Sequence, residues 1–160
     1  MKKLTSLFVA LAAAVSLSAQ EAGTDKSALE LFNEGQELQE RKQWFDAMDL
    51  YQEALVKNPQ YGQVWYNMAL CSYALGSYDL CVQYADNEAK YERSLAEVQN
   101  LKGLALISLG RIDEAKEVFS SILKRYPNNV DARFGLAELD LLDGRISVAE
   151  GRYIDALKRD

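Results

Sequence analysis

The amino-acid sequence predicts an all-α fold built from stacked helical hairpins, and two observations lead to this prediction. The first is a pair of amphipathic runs, residues 98–109 and 112–125, which are separated by only Gly110 and Arg111. This pattern is typical of a helix, a tight turn and a second, antiparallel helix. An isolated hairpin cannot bury its apolar faces, so it requires similar units packed against it.

The second observation is that the sequence resembles itself when it is shifted by 34 residues. The shift aligns small residues on the predicted first helices, namely Gly35, Ala69, Gly103 and Ala137. It also aligns small residues on the predicted second helices, namely Ala47, Cys81, Ala115 and Ala149. Four repeats without insertions follow, at residues 28–61, 62–95, 96–129 and 130–160.

Each repeat is predicted to contain a first helix, a turn and a second helix. Ser27 and Glu30 form a capping-box pattern at the start of the first repeat. The turns fall at Lys42, Gly76, Gly110 and Gly144. The second helices are expected at about 44–57, 78–91, 112–125 and 146–159. Asn58 and Pro59 then break the chain before the next repeat.

The residues shared by these repeats resemble the tetratricopeptide repeat (TPR) family. The family pattern of small and large residues is met in the first repeat by Leu31, Gly35, Leu38, Ala47, Tyr51, Ala54 and Pro59. The third repeat meets it with Gly103, Leu106, Ala115, Phe119 and Pro127. The second repeat departs from it at Ala85 and Glu88. The resemblance implies a right-handed α-solenoid of four helix-turn-helix units with eight helices.

The front of the chain has the pattern of a secretory signal peptide. Lys2 and Lys3 precede an apolar run, and Leu17-Ser18-Ala19 is a suitable cleavage site. A retained membrane anchor is the rival interpretation, but the stretch from Leu4 to Ala19 has only 16 residues, fewer than the ~20 that a spanning helix needs.

The predicted organisation is therefore a signal peptide at 1–19, a polar leader at 20–27 and a TPR domain at 28–160. We expect export to the periplasm of a double-membraned cell, with outright secretion as the alternative. No membrane insertion is expected after the signal peptide is cleaved.

Charge and composition exclude several classes of function. Removal of residues 1–19 takes away two lysines and no acids, which leaves 16 basic and 24 acidic residues and a net charge of −8. This charge opposes binding to nucleic acids or to anionic lipids. The sequence has no histidine and no C-x2-C, G-x-S-x-G or Walker-type motif. It therefore predicts no enzyme, no cofactor and no metal site.

Two cysteines leave two interpretations open. Cys71 and Cys81 lie at comparable distances from the predicted turn at Gly76, so their side chains could approach one another across one hairpin. An oxidising compartment would allow a disulfide between them. Alternatively, both are small buried hydrophobic residues that happen to be cysteine.

The TPR resemblance implies a concave wall lined by the first helix of each repeat. The residues that we predict to bind a ligand there are Phe32, Asn33, Gln36, Tyr66, Asn67, Leu70, Tyr73, Asn100, Phe134 and Glu138. Some TPR domains clamp a terminal carboxylate with basic residues, but the corresponding positions hold Phe32, Gln36, Asn67, Glu97 and Leu101. Only Asn67 fits that clamp. We therefore expect an extended or helical ligand with apolar side chains and some basic character. The alternative is that several of these apolar residues pack between neighbouring helices.

The C-terminal repeat predicts a second interaction surface. TPR arrays commonly end with an extra polar-faced helix, whereas this sequence ends with the fourth repeat, so Val148, Ile154 and Leu157 are expected to be partly exposed. Self-association or docking of a partner helix would cover them. The predicted function is thus a non-catalytic adaptor or scaffold that binds a peptide or protein segment in its groove. The alternative is a structural subunit that assembles through its last repeat.

Overall fold

The computed structural model describes residues 26–91 and 95–158, and in these ranges it contains eight α-helices and no strand. The helices are α1 (Ala28–Glu40), α2 (Trp44–Lys57), α3 (Gly62–Ala74), α4 (Tyr78–Tyr91), α5 (Ala96–Ser108), α6 (Ile112–Arg125), α7 (Val130–Leu142) and α8 (Ile146–Leu157). The predicted all-α fold of eight helices is confirmed. None of these helices is both long enough and apolar enough to cross a bilayer. The predicted signal peptide and most of the polar leader lie outside the described residues.

The helices pack as four hairpins in chain order, α1/α2, α3/α4, α5/α6 and α7/α8. Each following first helix contacts both helices of the hairpin before it. The first helices α1, α3, α5 and α7 therefore form one continuous row of neighbours. This row is the wall on which the sequence places the ligand-binding residues.

Local chemistry explains where the first helix begins. The Ser27 hydroxyl accepts a hydrogen bond from the Glu30 backbone N–H at 3.2 Å. The Glu30 carboxylate in turn accepts one from the Ser27 backbone N–H at 2.8 Å. The predicted capping box is thus formed, and it satisfies two backbone donors that have no partner within the helix.

The turns inside the hairpins require a left-handed backbone. Gly76, Gly110 and Gly144 have φ angles of 72°, 72° and 73°, which glycine adopts without steric cost. The first hairpin has Lys42 at this place, with a φ of 60°. The first two turns have equivalent backbone hydrogen bonds. The N–H of Lys42 donates to Gln39 O at 2.9 Å, and the N–H of Gly76 donates to Tyr73 O at 3.0 Å. Lys42 therefore carries a conformational cost that the later turns avoid.

Two large rings fill the space between helices where the sequence has small residues. Tyr51 and Phe119 are fully buried in two separate core clusters. A Cβ added to Gly35 would lie 2.5 Å from Tyr51 Cε1, and one added to Gly135 would lie 2.6 Å from Phe119 Cε2. The close approach of α7 to α6 thus depends on the absence of a side chain at position 135.

Candidate functional site

The concave wall contains a cavity of about 480 Å³ between α3, α5, α7 and α8. Its aromatic residues are Tyr66, Phe134 and Tyr153. Its charged residues are Glu97, Asp131 and Glu138, and its aliphatic residues are Leu70, Leu101 and Leu104. Asn100 and Gly135 complete the lining. Five of the ten predicted ligand-binding residues lie here: Tyr66, Leu70, Asn100, Phe134 and Glu138.

The 34-residue register explains why these side chains meet. Tyr66, Asn100 and Phe134 occupy the same place in three successive repeats. The residues four positions later, namely Leu70, Leu104 and Glu138, occupy another shared place. Residues four apart lie on one face of a helix, and α3, α5 and α7 lie side by side. A single helical stripe, repeated three times, therefore forms the floor of the cavity.

The cavity carries negative charge. Glu97, Asp131 and Glu138 all line it, and among the described residues no lysine or arginine does. Burial and, after it, the charge of Glu97 raise the pKa of the Tyr66 hydroxyl. Burial first, then Tyr78 and Glu138, raise the pKa of the Tyr73 hydroxyl. The two carboxylates thus act on tyrosines of the same wall, which makes this surface favourable for a cation and unfavourable for an anion.

Asn100 ties the cavity to the start of α7. Its side-chain amide is buried, and Nδ2 donates to Asn129 Oδ1 at 3.1 Å and to Asp131 Oδ2 at 3.5 Å. Asn129 is the N-cap of α7 and accepts from the Ala132 backbone N–H at 2.8 Å. The Oδ1 atom of Asn100 is buried and has no hydrogen-bond partner among the described residues. Asn100 therefore orients Asp131 while leaving one buried acceptor unsatisfied.

The other predicted groove residues lie elsewhere on the first helices. Phe32 is buried in the core, with its ring 5.0 Å from Tyr61 and 5.9 Å from Tyr51, so the structure corrects its assignment to the ligand-binding surface. Tyr51 of α2 and Tyr61, which directly precedes α3, cover the ring. Asn33 and Gln36 are exposed on α1.

The side chains of two further residues that we predicted to bind a ligand make contacts within the protein instead. The Asn67 side chain is buried, and Nδ2 donates to Gln63 O in its own helix at 2.9 Å. The ring of Tyr73 packs edge-on against Tyr78, with centroids 5.4 Å apart. Neither side chain lines the cavity.

Tyr153 is a cavity residue that the sequence analysis did not identify. Its ring lies 5.6 Å from that of Phe134. It is at the same repeat position as Tyr51 and Phe119, which are both core residues, so its place in the register predicts burial. Tyr153 is instead half-buried, because among the described residues no first helix packs over it as α7 packs over Phe119.

The two cysteines are free thiols, and both are fully buried. Cys71 belongs to the first core cluster and lies 3.5 Å from Gln39 Oε1, whereas Cys81 belongs to the second cluster. The disulfide that the sequence allowed is therefore not formed, since each side chain packs against different neighbours. Burial raises the pKa of Cys71 to about 11 and that of Cys81 to about 12.

The predicted assembly edge is exposed, but its residues do not share one face. Val148, Ile154 and Leu157 are 47%, 47% and 66% exposed, and Ile146 is 67% exposed. Helical spacing places Ile146, Ile154 and Leu157 on one side of α8. We call these three residues the C-terminal stripe. Val148 lies on the opposite side, where it lines a cavity between α6 and α8 together with Ile112.

Comparison with known proteins agrees with this architecture. Two family models with the description "Tetratricopeptide repeat" match residues 32–100 and 106–160 and together cover more than half of the chain. The chain belongs to the tetratricopeptide repeat family. The family resemblance seen in the sequence is thereby confirmed.

Individual TPR proteins are similar over most of this chain. Hsp70-Hsp90 organizing protein 1 from Glycine max is 28% identical over 120 residues, which are 75% of this chain and 21% of that protein. The chain thus spans about a fifth of the length of this relative. The crystal structure of MamA superposes with a TM-score of 0.75 at 15% identity and covers 82% of this chain and 77% of MamA. The first TPR of Spaghetti (RPAP3), bound to the HSP90 peptide SRMEEVD, has a TM-score of 0.69 at 21% identity over 76% of this chain and 96% of its own.

Proposed function

We propose that this chain is a non-catalytic adaptor or scaffold that binds a peptide or protein segment in its concave groove. The observation that carries the proposal is the cavity of about 480 Å³ on the first-helix wall, where Tyr66, Phe134 and Tyr153 are gathered on a concave surface. Aromatic side chains in a concave site supply much of the binding energy for a partner. A solved TPR structure with a bound peptide, that of Spaghetti, supports this use of the fold.

We also propose that the protein acts in the cell envelope. The support is the sequence pattern of residues 1–19, in which two lysines and an apolar run precede a cleavage site. The periplasm is the proposed compartment, and secretion is the alternative. Mass spectrometry of the mature protein would find its N-terminus at Gln20, whereas a cytosolic chain starting at Met1 would contradict this proposal.

Groove binding is tested by crosslinking and pull-down from cell-envelope extract. The bait is residues 20–160, compared with a Tyr66→Ala, Phe134→Ala variant whose helicity is unchanged. Phe45→Ala, Tyr126→Ala is the matched control, because these aromatic residues are exposed outside the cavity. A partner retained by the parent and the control but lost by the groove variant supports the proposal. Equal capture by all three chains contradicts it.

The exposed C-terminal stripe favours a second candidate function, a structural subunit that assembles through its last repeat. Ile146, Ile154 and Leu157 are all about half-exposed or more and lie on one side of α8. Sedimentation should then show a concentration-dependent oligomer that Ile154→Glu, Leu157→Glu abolishes. Val148→Glu is the matched control on the opposite side of the helix. A monomer at every concentration excludes assembly of this chain with itself.

A further inference from the structure

We propose that the groove selects a segment that contains a lysine or arginine, whose cationic group is held between Glu97, Asp131 and Glu138. Apolar neighbours of that cation would pack against the aromatic residues of the same cavity. This inference rests on the proposed function of the groove and adds the chemical class of the partner: a basic, apolar peptide segment.

Charge complementarity is the first argument. In the part of the chain that the structure describes, the cavity lining contributes three carboxylates and no cation, and these carboxylates come from the two adjacent helices α5 and α7. Some carboxylates elsewhere on the described surface form ion pairs, as Asp86 does with Lys102 at 2.6 Å. Glu97, Asp131 and Glu138 form no such pair among the described residues. A bound cation would offset the repulsion among them.

The aromatic residues are the second argument. The rings of Phe134 and Tyr153 lie 5.6 Å apart and tilted by 40°, and Tyr66 lines the same cavity from α3. The face of an aromatic ring attracts a cation within about 6 Å, and its body packs against the methylene groups of lysine or arginine. The cavity therefore suits both the charged end and the apolar stem of a basic side chain.

The unsatisfied oxygen of Asn100 is the third argument, and it is independent of charge. Asn100 is 5% exposed and lines the cavity, and its Oδ1 has no donor among the described residues. A buried acceptor without a donor is unfavourable. Because Nδ2 is already held by Asn129 and Asp131, the amide orientation is set. This oxygen has no surface open to the cavity, so an N–H of a bound segment would satisfy it only together with a small shift of the Asn100 side chain.

The same features argue against an acidic ligand. A terminal carboxylate or a phosphate entering the cavity would meet three negative charges and no cation from its described lining residues. The groove of this chain is therefore opposite in charge preference to a carboxylate clamp.

The test uses three blocked peptides of equal length, built from leucine, phenylalanine and alanine with a central pair of lysine, glutamine or glutamate. Binding is measured by calorimetry at low and at high ionic strength with residues 20–160. The groove variant is Glu97→Gln, Asp131→Asn, Glu138→Gln. The matched control is Asp49→Asn, Glu53→Gln, Glu117→Gln, which removes the same number of exposed carboxylates from the second helices α2 and α6.

We expect the lysine peptide to bind at least about tenfold more tightly than the glutamine peptide, and the glutamate peptide to bind least. Salt and the groove variant should each remove this preference, whereas the control should keep it. Equal binding of all three peptides that depends on Tyr66 and Phe134 overturns the cation preference and leaves the groove function intact. The proposed groove function itself is contradicted if none of the peptides binds. It is also contradicted if the Tyr66→Ala, Phe134→Ala variant binds the peptides as tightly as the parent.

Discussion

Arg152 on α8 donates from Nε to Asp140 Oδ2 on α7 at 2.6 Å, and this ion pair joins the two helices of the last hairpin. Arg145 in the intervening turn donates to the other oxygen, Oδ1, also at 2.6 Å. Asp140 is only 4% exposed. The equivalent residues of the earlier repeats are Leu38, Ser72 and Leu106, so the last repeat replaces an uncharged contact with a buried carboxylate.

Asp140→Asn should destabilise the last hairpin by about 2 kcal/mol, because a buried carboxylate loses two charge-assisted hydrogen bonds. Urea unfolding followed by circular dichroism measures this change. Asp143→Asn is the matched control, since Asp143 is about half-exposed and its pair with Arg145 should contribute less than about 1 kcal/mol. Equal losses in both variants would contradict a special role for Asp140.

The Asp140 pair also predicts a pH dependence. Burial raises the pKa of its carboxyl, but hydrogen bonds from Arg145 and Arg152 outweigh this effect and lower the pKa below its ordinary value. A lowered folded-state pKa means that the stabilisation is present above the unfolded-state pKa of about 4 and is lost as the pH falls below it. The stability difference between the parent and Asp140→Asn should therefore shrink between neutral pH and pH about 3. A constant difference would show that the charge is not involved.

Gly135→Ala should destabilise the protein by about 2 kcal/mol, because the added Cβ would lie 2.6 Å from Phe119 Cε2 and the buried ring cannot move without repacking. Gly151→Ala is the matched control on α8, where an added Cβ meets nothing within 4 Å. Helix propensity should make that control more stable by about 0.5–1 kcal/mol. Thermal unfolding distinguishes the two opposite shifts.

Lys42→Gly should stabilise the protein by about 0.5–1 kcal/mol, because it relieves a φ of 60° at the first turn. Lys42→Ala removes the same side chain but keeps the unfavourable backbone, so it should give no comparable gain. The free energy of unfolding in urea tests both variants. A similar gain from alanine would mean that the lysine side chain, and not its backbone, is the cause.

Both thiols should be unreactive towards Ellman's reagent at neutral pH in the folded protein and reactive once it is unfolded. Their pKa values of about 11 and about 12 leave almost no thiolate, and neither sulfur is exposed. Mass spectrometry of the unreduced protein should give the mass expected with the thiol hydrogens of both cysteines present. A mass lower by two hydrogens would establish a disulfide between Cys71 and Cys81.

The sequence by itself determined the fold and the position of the wall. The 34-residue register places small residues opposite large ones, and this pattern is enough to predict four hairpins. The resemblance of these repeats to the TPR family implied which helix face looks inward. The observed bounds of α2, α4 and α6 coincide with the predicted second helices. Local signals such as the Ser27 capping box act within a few residues, so they too can be identified without a structure.

Only the tertiary structure decided which residues of that face remain available to a ligand. Phe32 and Tyr66 share one place in the register, yet Phe32 is buried against Tyr51 and Tyr61 while Tyr66 lines the cavity. Tyr153 shares its place with Phe119, yet it joins the groove. The reason is that periodicity defines the direction of a side chain from its own helix, whereas its exposure depends on which neighbouring helix packs over it.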